Sequence, residues 1–102
     1  MGSSGSDQKS SRYFLRLFVA GDEPNSMAAK ASLDKICANY PPQDCEVEIV
    51  DILQDPRRAR EENVLITPAL VIQGPRRRVV LFGNLADPRE VLAALQEGTK
   101  KV

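Results

Sequence analysis

The chain has 102 residues, with 14 Lys plus Arg against 14 Asp plus Glu, no histidine and two cysteines. A formal charge of zero leaves no basic excess to draw it to nucleic acid or to an anionic membrane, and no run approaches the ~18 apolar residues of a membrane span. Without histidine, histidine-based catalysis and most zinc chemistry are excluded; Cys37 and Cys45 alone cannot close a zinc site and lack the Cys-x-x-Cys spacing of a dithiol centre.

Residues 1–10 begin Met-Gly-Ser-Ser-Gly-Ser and carry no apolar h-region, so they are expected to be a disordered cloning remnant, not a signal peptide. One domain is expected over residues 11–98, with a tail at 99–102, in the cytoplasm and with both cysteines as small hydrophobes of a reducing compartment. A disulfide between them is the alternative.

From Arg12 to Ala20 the chain alternates, with Tyr13, Leu15, Leu17 and Val19 on one side and Arg12, Phe14, Arg16 and Phe18 on the other. Period two and β-propensity predict a strand whose second face is only partly covered. Gly21-Asp22-Glu23-Pro24 breaks it. Asn25 or Ser26 then supplies an N-cap for a helix of about four turns, with Ala29, Leu33, Ile36, Cys37 and Tyr40 as its apolar stripe, and Pro41-Pro42 stops it.

Cys45 to Leu53 reads as the second strand, with Val47, Ile49 and Val50 as its apolar content. Asp55-Pro56 is a helix start, with Asp as N-cap and Pro at the first helical position. The helix that follows, Arg57 to Glu62, has little to bury and is expected to be weakly held. Val64 to Ile72 is an apolar run divided by Pro68; proline has no N–H for a central strand, so it belongs at the strand's beginning. Gln73-Gly74-Pro75 turns the chain into a further strand, Arg78 to Phe82. Asp87-Pro88-Arg89-Glu90 reads as a capping box opening a last helix with Val91, Leu92 and Leu95 as its stripe, ending near Gly98. The order β-α-β-α-β-β-α, a parallel crossover unit followed by a hairpin, is that of an α/β thioredoxin-like domain with a mixed four-stranded sheet.

Three stretches resemble the KaiB family: Leu17-Phe18-Val19-Ala20-Gly21-Asp22-Glu23-Pro24-Asn25-Ser26; Val50-Asp51-Ile52-Leu53-Gln54-Asp55-Pro56 with Thr67-Pro68-Ala69-Leu70; and Gly83-Asn84-Leu85-Ala86-Asp87-Pro88-Arg89-Glu90-Val91-Leu92. The resemblance implies a non-enzymatic regulator of a KaiC-like ATPase, the ring-shaped ATPase of the cyanobacterial clock, or a KaiB-like sensor domain of a histidine kinase. It also implies two folds, one thioredoxin-like and binding-competent, the other repacked in its C-terminal half and self-associating. Clock members usually carry Gly and Asp where this chain has Ala94 and Gln96. Gly costs about 0.8–1 kcal/mol against Ala inside a helix, so the thioredoxin-like form is expected at rest, as a monomer. The turn at 74–78 looks more like the kinase sensor domain.

No thiol stands at Asp22-Glu23-Pro24-Asn25, where a thioredoxin keeps its nucleophile, so no redox centre and no cofactor are expected. A thiol enzyme using Cys37 and Cys45 is the reading from another class. Thr67-Pro68 occupies the place of the thioredoxin cis-proline; Pro68 either shapes the loop or helps present a binding surface. Asp22 and Glu23 read as solvated loop charges and helix-dipole partners, without a pocket partner for acid–base work. Arg76, Arg77 and Arg78 form a basic turn, either solvated or set against an acidic partner surface. Arg16 and Phe18 are either packed beneath a helix or part of an exposed patch. The residues expected to contact a partner are Asp22, Glu23, Pro24, Asn25, Asp51 and Arg76 to Arg78.

Overall fold

A computed structural model describes residues 13–39 and 45–97, the side chains at 39, 96 and 97 excepted. The expected N-terminal remnant, Tyr40, the Pro41-Pro42 stop, the C-terminal tail and the side chain of Gln96 lie outside the described residues. The elements follow the expected order: β1 (Tyr13–Val19), α1 (Pro24–Asn39), β2 (Cys45–Asp51), α2 (Pro56–Glu61), β3 (Ala69–Gln73), β4 (Arg78–Phe82) and α3 (Pro88–Glu97). The four strands form a mixed sheet in the order β2-β1-β3-β4. β1 and β2 are parallel, with Leu17 opposite Ile49; β3 runs antiparallel to both its neighbours, with Leu70 between Leu17 and Leu81.

The alternation of β1 divides the core into two. Tyr13, Leu15, Leu17 and Val19 pack with Leu70 and Ile72 against Ala29, Leu33 and Ile36 of α1 and Val91 of α3. On the other face Phe18, Val50, Ala69 and Val71 pack with Ala59 of α2 and Val64. Phe18 is fully buried, so it belongs under α2 and to no exposed patch. Phe14, beyond the reach of that short helix, stays exposed. β2 is an edge strand, which leaves Val47 and Ile49 only half covered.

Local chemistry moves several boundaries. α1 starts at Pro24, ahead of the expected caps. Pro24 suits the first helical position because its φ is preset and it has no N–H to satisfy. The cap is Glu23, whose Oε1 accepts the Ser26 N–H at 3.1 Å. Ser26 lies inside the helix, fully buried; its Oγ accepts the Ala20 N–H at 3.0 Å and donates to Glu23 Oε1 at 3.2 Å. β2 ends at Asp51 instead of Leu53, because Asp51 Oδ1 accepts both the Gly21 and the Leu53 N–H at 3.0 Å and turns the chain there. Asp55 stands at the N-cap of α2 but makes no side-chain capping bond. Asp87 caps α3 through the Arg89 N–H, at 3.0 Å, while Glu90 is exposed. Gly21 has φ +56°, and a Cβ there would meet Leu53 Cδ1 at 3.0 Å, so the β1–α1 turn favours glycine.

α2 is held more firmly than its composition suggested. Ala59 is buried. Arg58 donates to Glu48 of β2 at 2.8 Å, and Glu48 also accepts from Arg16 of β1 at 3.1 Å. Arg16 pairs onward with Glu62, which follows the helix; Arg78 donates to the Glu62 carbonyl at 2.6 Å. These charges from three strands fasten both the helix and its exit.

Candidate functional site

β1 and β2 end at the same edge of the sheet, β3 begins there and β4 returns to it. All three helices start at that end, from the loops that follow β1, β2 and β4. In open α/β sheets the carboxyl ends of parallel strands are where loops converge and ligands or partners bind. Glu23, Asp55 and Asp87 each precede a helix start, where negative charge is favoured by the helix dipole. Arg89 beside Asp87 holds that carboxyl down at about 2, through a side-chain hydrogen bond first and the backbone N–H second.

The structure gathers five of the sequence-predicted contact residues at this end. Asp22, Pro24 and Asn25 are exposed; Glu23 is exposed while its carboxylate holds the first turn of α1; Asp51 is half-buried and ties the β1–α1 loop to the chain after β2. Pro68 is also here, buried, with a cis peptide bond from Thr67, and its carbonyl accepts the Gly83 N–H at 3.0 Å. Arg76 and Arg77 lie in the β3–β4 turn at the opposite end of the sheet. Arg78 is not part of a free basic turn: it is the first residue of β4 and is engaged with Glu62. The residues expected as one contact set are therefore split between two ends of the molecule.

Sequence reasoning missed the apolar part of the site. Leu65 is 90% exposed, Leu53 69% and Ile66 61%, and Met27 and Phe82 are about half exposed at the same end. The signal was present in Pro68. A run cut by a proline that begins a strand leaves Val64, Leu65 and Ile66 in a short loop, which buries Val64 and leaves no cover for its neighbours.

The cysteines are elsewhere. Cys37 is near the C-terminal end of α1 and Cys45 opens β2, both half-buried against the first core and both at the far end from the Asp22–Asn25 loop. Burial, and secondarily Asp34, pushes the Cys37 thiol above its ordinary range, which lowers the thiolate fraction a nucleophile needs. Among the described residues no group of three or more Cys, Asp or Glu is placed to hold a metal ion, and no helix is long and apolar enough to cross a membrane.

The family model for the KaiB domain matches residues 16–96. The circadian clock protein KaiB3 of Synechocystis sp. is 34% identical over 84 residues, covering 82% of this chain and 82% of that protein. The circadian clock oscillator protein KaiB of Prochlorococcus marinus (strain MIT 9211) is 39% identical over 85 residues, covering 81% of this chain and 73% of that one. Among solved structures, the N-terminal domain of Synechococcus elongatus SasA superposes with a TM-score of 0.71 at 22% identity, over 90% of this chain and 88% of that chain. A mutant thioredoxin from Halobacterium salinarum reaches 0.74 at 18% identity, over 100% of this chain and 89% of that one. At those identities the two structures establish a thioredoxin-like fold.

Proposed function

This chain belongs to the KaiB family, and we propose that it acts within it as a cytoplasmic regulator without chemistry of its own, docking on a KaiC-like ATPase through the helix-start end of its sheet. The observation that carries the reading is the composition of that end. A thioredoxin-like scaffold has carboxylates and amides at Asp22–Asn25, where a reductase needs a thiolate, and it surrounds them with Leu53, Leu65 and Ile66 in water. Exposed apolar groups rimmed by charge suit a protein interface, in which a few central side chains supply most of the affinity. Binding that prefers one state of the ATPase shifts it toward that state by the difference of the two affinities. The matches to clock proteins named KaiB, at 34% and 39% identity over most of the chain, support this reading.

The test is complex formation with KaiC-like ATPases, in ATP- and ADP-loaded states, followed by solution mass. Leu65 is so exposed that Leu65→Asp leaves the fold's stability within about 0.5 kcal/mol, while at an interface it weakens the complex by about tenfold or more. No complex in either nucleotide state, or disulfide turnover by the purified chain at the speed of a thioredoxin, overturns the proposal.

A further inference from the structure

The sheet is bounded by β2 on one side and β4 on the other, and the two edges are finished differently. An edge strand presents unpaired N–H and C=O groups to any strand that reaches it, and charged residues or proline blunt it. β2 carries Glu46 and Glu48, both exposed. β4 reads Arg78-Val79-Val80-Leu81-Phe82, with one charge, at its first residue, and no proline. Val79, Val80 and Leu81 are half-buried and Phe82 is 55% exposed. Such an edge invites pairing.

The hydrogen bonds of the β3–β4 hairpin fix which backbone groups face outward. The Gly74 N–H donates to the Arg77 carbonyl at 2.9 Å, and the Gly83 N–H to the Pro68 carbonyl at 3.0 Å. Between them the register sets Ile72 opposite Val79 and Leu70 opposite Leu81. Bonded pairs recur at every second position of an antiparallel ladder. Val79 and Leu81 therefore turn their backbone groups to β3, and Arg78, Val80 and Phe82 turn theirs to the open side.

A second copy of the same strand uses all of these groups. Set antiparallel about a two-fold axis at Val80, Arg78 lies opposite Phe82 of the second copy, Val80 opposite Val80 and Phe82 opposite Arg78. Each pair exchanges both its N–H···O bonds, so no outward group of either strand is left over. A shift of two residues leaves those of Arg78 or of Phe82 unused. The side chains agree with this register, because directly opposite residues share a face. Arg78 meets an aromatic ring, a favourable partner for a guanidinium, and Val79 meets Leu81. A net charge of zero sets no long-range repulsion between the copies. We propose that the thioredoxin-like form associates as a two-fold dimer through β4, joining two sheets into one, in place of the monomer expected from the sequence. Five residues a side fall far below the roughly 20–30 of a standard interface, so the dimer is weak, with a Kd on the order of 100 μM. The pairing does not rest on the docking reading.

Sedimentation equilibrium of the full chain, from about 10 μM to about 1 mM, is expected to show the mass rising toward twice that of one chain. Amide exchange followed by NMR over the same range is expected to slow at Arg78, Val80 and Phe82, while Val79 and Leu81, already bonded to β3, change little. Phe82→Lys sets a cation opposite Arg78 twice in the dimer and weakens it by about tenfold. Phe82→Glu sets an opposite charge there and stays within about threefold of the unaltered chain. A chain still monomeric at about 1 mM overturns the proposal, and so does protection of these amides only on adding a KaiC-like ATPase, which would give the edge to that partner. Protection confined to residues 45–51, equal weakening by the two Phe82 variants, or a dimer in which residues 88–97 lose their helical signals overturns it as well. The exchange pattern belongs to the unaltered chain, so the test does not depend on either variant folding.

Discussion

Ser26 is the clearest single-residue determinant of the β1–α1 junction. Its hydroxyl satisfies the Ala20 N–H at the end of β1 and is itself held by Glu23, the group that caps α1. Ser26→Ala removes the acceptor and leaves the Ala20 N–H, in a half-buried residue, without its partner, which is expected to cost about 1 kcal/mol; urea denaturation measures it, and an unchanged midpoint would contradict the role. Asp87 is the complementary case at the surface. Its carboxyl titrates at about 2, below the ordinary 3.8, because Arg89 hydrogen-bonds the charged form. A folded-state pKa below the unfolded one means the cap is fully effective above pH 3.8 and fades as pH falls toward about 2. Carboxyl-carbon NMR is expected to show that low midpoint, and Arg89→Ala to return it toward the ordinary value.

Two elements carry opposite lessons about local preference. α2 is short and polar, yet Glu48, Arg16, Glu62 and Arg78 fasten it to three strands. Glu62→Gln removes the carboxylate that Arg16 and Arg78 share, while Arg16 keeps Glu48 and Arg78 keeps the Glu62 carbonyl; it is expected to cost about 0.5–1 kcal/mol, less at high salt because such pairs are partly screened. Hydrogen exchange should quicken in residues 56–64 before it does in β1 or β3. α3 is governed by propensity. Ala94→Gly is expected to lower its stability by about 0.8–1 kcal/mol, seen as faster exchange across residues 88–97 at unchanged sheet protection. We propose that Ala94 thereby favours the thioredoxin-like arrangement at rest. Antiparallel strand pairing by residues 90–97 of the unaltered chain, detected by NMR, would refute that bias.

At the scale of the whole molecule the two ends of the sheet differ in kind. One gathers three helix starts, their carboxylates and the exposed Leu53, Leu65 and Ile66; the other holds the Arg76–Arg77 turn and both cysteines. The docking surface and the thiols therefore do not meet. The double variant Cys37→Ser with Cys45→Ser is expected to bind a KaiC-like ATPase as the unaltered chain does, measured by solution mass of the complex. Loss of a measured thiol activity on that substitution, with the fold retained, would restore the enzyme reading.

Much of this architecture was legible in the residues themselves, because the signals were local: the alternation from Tyr13 to Val19, the prolines at 56, 68 and 88 that open two helices and a strand, and the turns at Gly74 and Gly83. The resemblance that identified the family rested on contiguous stretches of the same kind. Where local signals competed, the sequence misled. Asn25 and Ser26 both looked like caps, and only the path of β1 into α1 assigned the cap to Glu23 and gave the buried Ser26 hydroxyl a partner in the Ala20 N–H. The placement of Leu65 and Ile66 in solvent, the fastening of α2 by charges from distant strands, and the separation of Arg78 from the basic turn were decided by tertiary structure alone. Periodicity and turn chemistry act between near neighbours along the chain, whereas exposure and ion pairing depend on which remote segments the sheet brings alongside.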